Sequence, residues 1–304
     1  SGNSSSAVGR SNTASDESSS AVGYENDASG NSSSAFGYGN TASGSNSLAI
    51  GRNNTASGGE SSFFTPSAIA VGNENTATGT ASTAVGHQNT ASGTDSTAVG
   101  RANVASGTGS IVVGYYNGAN HGSYSSAFGR DNIADGSYST AVGYLNRATS
   151  ESSTAVGYTN IASGPESTAV GYSNTASGQY YSSAFGWGNT ASGNSSTAVG
   201  YTNIASGTYS SSAVGDNNTA SATGSTAVGF NNTAFNDESS AVGYDNNASG
   251  NFSSAVGWAN TASSTASNAV GFRNNASGNF SSAFGVSNTW SGDYSIAFGS
   301  SNTG

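Results

Sequence analysis

The chain has 304 residues, among them 44 Gly, with no Cys and no Met. Sixteen acidic residues face six cations, all of them Arg, for a net charge of −10; no basic cluster forms, which excludes a nucleic-acid surface. Without Cys there is no disulfide framework, no apolar run approaches the ~20 residues of a membrane span, and a 7% charged fraction is too low for ordinary disorder.

Internal repetition dominates everything else. A Gly preceded by Val, Ile or Phe recurs from Gly9 to Gly299 at a spacing of 14, with steps of 15 ending at Gly129, Gly186 and Gly215 and one step of 21 from Gly51 to Gly72. A 14-residue unit is too short for a helical hairpin but holds two short strands and two tight corners. The predicted fold is therefore all-β: a parallel β-solenoid of about 21 coils, one repeat domain over 1–304. Coils stack at ~4.8 Å, so such an array extends on the order of 100 Å. The chain opens inside one repeat and stops inside another, and so reads as a segment of a longer array.

Within each coil the first predicted strand is Ser-x-Ala-x-Gly. Strand alternation puts Ser, Ala and Gly on one face and the x residues on the other. The residue before Gly is always aliphatic or Phe, as in Val142, Val156, Val170, Phe185 and Val199. A narrow coil suits Ala inside, which leaves these residues as an outward apolar stripe. Left wet, that stripe forfeits tens of kcal/mol, so it predicts self-association of parallel copies, as a homotrimer or with filament neighbours. The other arrangement encloses Val and Phe and yields a monomeric solenoid.

Next come aromatics, one residue past Gly: Tyr144, Tyr158, Tyr172, Trp187 and Tyr201, then Phe230, Tyr244, Trp258 and Phe272. Stacked coils pile these rings in a column. They are either a contact strip for a glycan or partner surface, or rings that merely stack on one another. Three residues past every anchor Gly stands Asn, including Asn146, Asn160, Asn174, Asn189 and Asn203. These amides predict a structural ladder running from coil to coil, with Asn also taking the left-handed corner.

The second strand, Thr-Ala-Ser-Gly, turns Ala inward and Thr and Ser outward. A regular hydroxyl array resembles an ice-binding surface, but Asp27, Gly118, Arg147, Asn247 and Asn275 interrupt the Thr column. The long step carries Phe63 and Phe64 beside Pro66, a candidate contact knob or a plug over a gap in the stripe. Trp290 replaces the Ala of its coil and is a candidate cap.

The repeats "STAVGYTNIASG" (153–164) and "SSAVGYDNNASG" (239–250) resemble the YadA-like head repeats of trimeric autotransporter adhesins. The resemblance covers essentially the whole chain. It implies a left-handed parallel β-roll, three chains packed together, and display at a cell surface for attachment to host or matrix protein or glycan. One departure is that the first x is usually Ser or Thr, as in Thr154 and Thr168, where these heads often carry a second aliphatic residue. That thins the stripe to one residue per coil.

Catalysis and metal binding find no support. His87 and His121 are far apart along the array, and the pairs Asp16-Glu17 and Asp237-Glu238 lack the periodicity of calcium-binding repeats. No cofactor is implied. Sequons such as Asn194, Asn247 and Asn251 are common by chance in a chain this rich in Asn and Ser.

Overall fold

The structure, a computed structural model, describes residues 2–59 and 67–304. The chain divides into two compact units, Ser1–Ser152 and Ser153–Gly304. Each obeys the same rule. A coil contributes one five-residue strand and one two-residue strand, for example Thr168–Tyr172 and Thr175–Ala176. The first unit has ten long strands, Ser6–Arg10 through Thr140–Tyr144, and the second has eleven, Thr154–Tyr158 through Ile296–Ser300. This is an all-β parallel solenoid of about 21 coils, with no helix among the described residues. Neighbouring coils pair in strict register: Thr168 lies opposite Ser183, Ala169 opposite Ala184 and Gly171 opposite Gly186.

The interior is built from methyl groups. Ala169 and Ala176, one from each strand of a coil, are fully buried, as are their equivalents in nearly every other coil. Beyond Val112, the bulkiest fully enclosed side chains are the ladder asparagines. The arrangement that encloses Val and Phe is overturned: Val22 is 37% exposed and Phe185 also 37%. Two strands separated by Ala side chains leave no room for a larger aliphatic group, so the bulk goes outward.

Close stacking also explains the anchor glycine. At Gly200 the backbone has φ +120, and a Cβ there would lie 2.0 Å from the carbonyl oxygen of Gly215 in the next coil. No L side chain fits that position.

The corners correct one expectation. The ladder Asn does not take the left-handed conformation; the residue before it does, as at Ser173 (φ 53) before Asn174 and Thr202 (φ 50) before Asn203. The reason is hydrogen bonding. The ladder Asn must aim both its backbone N–H and its side chain along the column, whereas the preceding side chain points to water and is free of that constraint. A second left-handed residue sits at the opposite corner, as at Glu166 (φ 55) and Ser195 (φ 53). Single left-handed non-glycine residues cost roughly 1–2 kcal/mol each. The backbone and ladder bonds that they permit offset this.

Candidate interaction surface

The outer face of the long strands carries three parallel columns, because positions −3, −1 and +1 from the anchor Gly share it. In the second unit they read Thr154, Val156, Tyr158, then Thr168, Val170, Tyr172, then Ser183, Phe185, Trp187. The middle column is the apolar stripe. Val142, Val156, Val170 and Val199 are half-buried and Phe185 is exposed, all against a background of fully buried Ala. In-register pairing makes the stripe continuous within each unit: Val156 lies opposite Val170, which lies opposite Phe185, which lies opposite Val199.

The +1 column is aromatic in the second unit. Tyr158 and Tyr172 stack with ring centroids 4.9 Å apart and parallel planes, Tyr172 and Trp187 at 5.7 Å, and Trp187 and Tyr201 at 4.5 Å. Both faces of Tyr172 and Trp187 are therefore taken by neighbouring rings. What reaches solvent is ring edge and hydroxyl, which favours the stacking role over a sugar-binding strip for these two. Tyr144 closes the first unit's column and is half-buried.

In the first unit the same column mixes rings with arginines, an arrangement that sequence reading missed. Arg101, Tyr115, Arg130 and Tyr144 are successive partners. The Arg130 Cζ lies 5.5 Å from the Tyr115 centroid and 5.3 Å from that of Tyr144, so its guanidinium sits between two rings. Its Nε also donates to Asp131 Oδ2 at 3.0 Å. Arg10 likewise lies over Tyr24, and Arg52 over Tyr38. Counting +1 positions across the 15-residue step would have aligned Arg130 with the rings.

The Asn ladder lies at the edge of the inner space. Asn189 Nδ2 reaches Asn174 Oδ1 at 2.9 Å, Phe185 O at 2.9 Å and Gly200 O at 2.7 Å, while its backbone N–H donates to the same Asn174 Oδ1 at 3.0 Å. Asn174 repeats the pattern on Asn160, Asn203 on Asn189, and Asn146 on Asn132. Every member named here is fully buried. The amides are spent on the scaffold and hold nothing for a ligand.

The short-strand face is less regular than a hydroxyl array requires. Besides the interruptions already named, Val104, Ile133, Ile161 and Ile204 occupy the Thr column, and the longest unbroken run is Thr41, Thr55, Thr76 and Thr90. A shallow groove of about 330 Å³ lies on the second unit between Ser177, Gln179, Asn194, Thr208 and Tyr209. Trp290 is half-buried and donates its indole N–H to Ser295 Oγ. Phe63 and Phe64 lie outside the described residues. Among those described, no group of three metal-ligating side chains occurs, and no helix is long and apolar enough to cross a membrane.

A thin parallel solenoid with a methyl interior, an amide ladder and an outward apolar stripe defines a repeat scaffold that presents faces rather than a pocket. The family profile described as YadA head domain repeat (2 copies) matches residues 1–26, 28–61, 66–89, 91–117, 121–146, 148–232, 236–260 and 262–302, partly in overlapping copies. The chain belongs to the YadA head repeat family, an adhesin-type class of structural rather than enzymatic repeat. Among curated proteins, none matches it.

Proposed function

We propose that this chain is an extracellular, cell-surface adhesin head module. Its copies associate through the Val and Phe column of the long strands, as a trimer that leaves the ring column after the anchor Gly at its margin, and attach to host or matrix protein or glycan through a repeated face. The observation that carries the reading is the unbroken column of partly exposed Val and Phe, from Val156 through Val170 and Phe185 to Val199. Half-burial leaves on the order of 1 kcal/mol per coil still to be gained when a second copy covers the stripe. Summed over eleven coils of the second unit, that is on the order of 10 kcal/mol, enough for stable association. A parallel, in-register assembly is the closed arrangement in which every Val meets an equivalent Val.

Sedimentation and native mass spectrometry test the assembly. The expected mass is three times that of the chain, falling to one with Val156→Asp and Val199→Asp together. A monomer that keeps its β signal at high concentration overturns the trimer, and a mass that grows without limit points to a filament of structural duty instead. Attachment is tested on the intact assembly, by retention on immobilised matrix protein and glycans; no retention on any of them removes the adhesive part of the reading.

A further inference from the structure

The +1 column is interrupted once between its two aromatic runs in the second unit, and the interruption is an acid. Tyr201 lies opposite Asp216, which lies opposite Phe230. Tyr201 stacks on Trp187 and Phe230 stacks on Tyr244 at 5.0 Å, so each has one ring face occupied and the other turned toward the Asp216 level. The rings are two coils apart, about 9.5 Å. Both are exposed, at 48% and 43%, and Asp216 is half-buried between them.

The first unit shows what this spacing accepts. Tyr115, Arg130 and Tyr144 occupy the same column at the same two-coil separation, and there the middle position is filled by a guanidinium lying near both rings, with a carboxylate at 3.0 Å. The second unit repeats both rings and supplies a carboxylate, but its middle residue is the acid itself. Its single Arg, Arg273, lies over Phe272, four coils further on. Neighbours in a parallel in-register assembly would bring only the same Tyr, Asp and Phe to this level. The cation that fits must come from another molecule.

We propose that Tyr201, Asp216 and Phe230 form a binding slot for an arginine side chain of a partner polypeptide. The planar guanidinium would lie between the two ring faces and pair with the Asp216 carboxylate, combining cation–π attraction with a charge-assisted hydrogen bond. Arginine suits the slot better than lysine because a flat group satisfies both rings and an acid at once. This goes beyond the adhesive reading: it assigns one site at one level of the array, and a recognised chemical group.

The test titrates the full chain with a short Gly/Ser peptide carrying one arginine, and with matched peptides carrying lysine or citrulline. Calorimetry and the ring resonances of Tyr201 and Phe230 follow binding. The arginine peptide is expected to shift both rings and to bind at least about fivefold more tightly than the lysine peptide, with citrulline inert. Asp216→Asn should weaken it roughly tenfold. Asp216→Arg, which rebuilds the first unit's arrangement, should abolish it, while Glu238→Gln on a distant corner leaves it unchanged. Equal binding of the citrulline peptide, undiminished binding by Asp216→Asn, or no ring shift with the arginine peptide overturns the assignment.

Discussion

The side-chain amide of Asn189 donates to Oδ1 of Asn174, one coil away, at 2.9 Å. That oxygen also takes the backbone N–H of Asn189, so one residue joins two coils through both its main chain and its side chain. Asn189→Ala removes the donors to Phe185 O, Gly200 O and Asn174 Oδ1, which keeps only the backbone N–H, and removes the Oδ1 that accepts from Asn203 N–H and Nδ2, leaving those buried donors unpaired. At roughly 1 kcal/mol per bond plus the burial penalty of the orphaned groups, the expected loss is about 3 kcal/mol. Because solenoids unfold locally, the measurement is amide hydrogen exchange. Protection should fall at Asn189 and Asn203 and their flanking strands and persist seven coils away, in the strand Ser282–Val286. Unchanged protection would mean that the ladder is a passive consequence of stacking.

Two nearby glycines separate steric need from conformational convenience. Gly200→Ala places a methyl group against the Gly215 carbonyl and forces a side chain to φ +120, so a loss above about 3 kcal/mol is expected, with disrupted pairing of that strand. Gly188 has φ +65, where a Cβ would meet only Thr202 Cγ2 at 3.4 Å. Its counterparts in other coils include Thr202 and Asn217, which hold the same left-handed conformation. Gly188→Asn should therefore be neutral or gain about 0.5 kcal/mol by stiffening the unfolded chain. Thermal melts of the two variants side by side decide it; equal destabilisation would refute the distinction.

Arg130 carries a third expectation. Its guanidinium lies between Tyr115 and Tyr144, and the ion pair to Asp131 is solvent-exposed, so the rings rather than the carboxylate should account for most of its contribution. Arg130→Gln should cost about 1 kcal/mol, and Asp131→Asn only a few tenths. Denaturation at low and high salt checks this: a loss that disappears in high salt would assign the effect to the ion pair instead.

Much of this architecture is legible in the residues because a repeat reads its own alternation many times over. Ala at positions of one parity and Val or Phe at the other separate the two sides of the strand, the narrowness of the coil favours Ala inside, and Ala169 and Phe185 fall as that arrangement places them. Invariant Asn at one offset likewise implies a column. The left-handed corner was not legible, since Ser173, Thr202, Leu145 and Arg273 all hold it and share no side-chain chemistry. The conformation there is imposed by the bonds of the following Asn. The column that aligns Arg130 with Tyr115 and Tyr144 can be counted from the anchor glycines, but the turn of its guanidinium onto both rings cannot. Chemistry between coils needs the register as well as the composition.

The corner opposite the ladder supplies a pH signature. Tyr181 and Glu166 occupy equivalent corners of adjacent coils, both left-handed. A hydrogen bond to the Glu166 carboxylate, with its negative charge close by, raises the Tyr181 phenol above its ordinary value of 10.0. Tyr24 is raised in the same way by Glu25. The phenol holds its proton more tightly in the folded chain, so this contact contributes fully below pH 10.0 and is lost as pH rises through the higher folded value, where phenolate would face carboxylate. Ring-carbon chemical shifts followed through an alkaline titration should place the Tyr181 midpoint above 10.0. Glu166→Gln should bring its midpoint back toward 10.0, since the amide keeps a hydrogen-bonding oxygen but removes the charge. A midpoint that stays where it was after that substitution would show that burial or the neighbouring Tyr180, rather than Glu166, holds the proton.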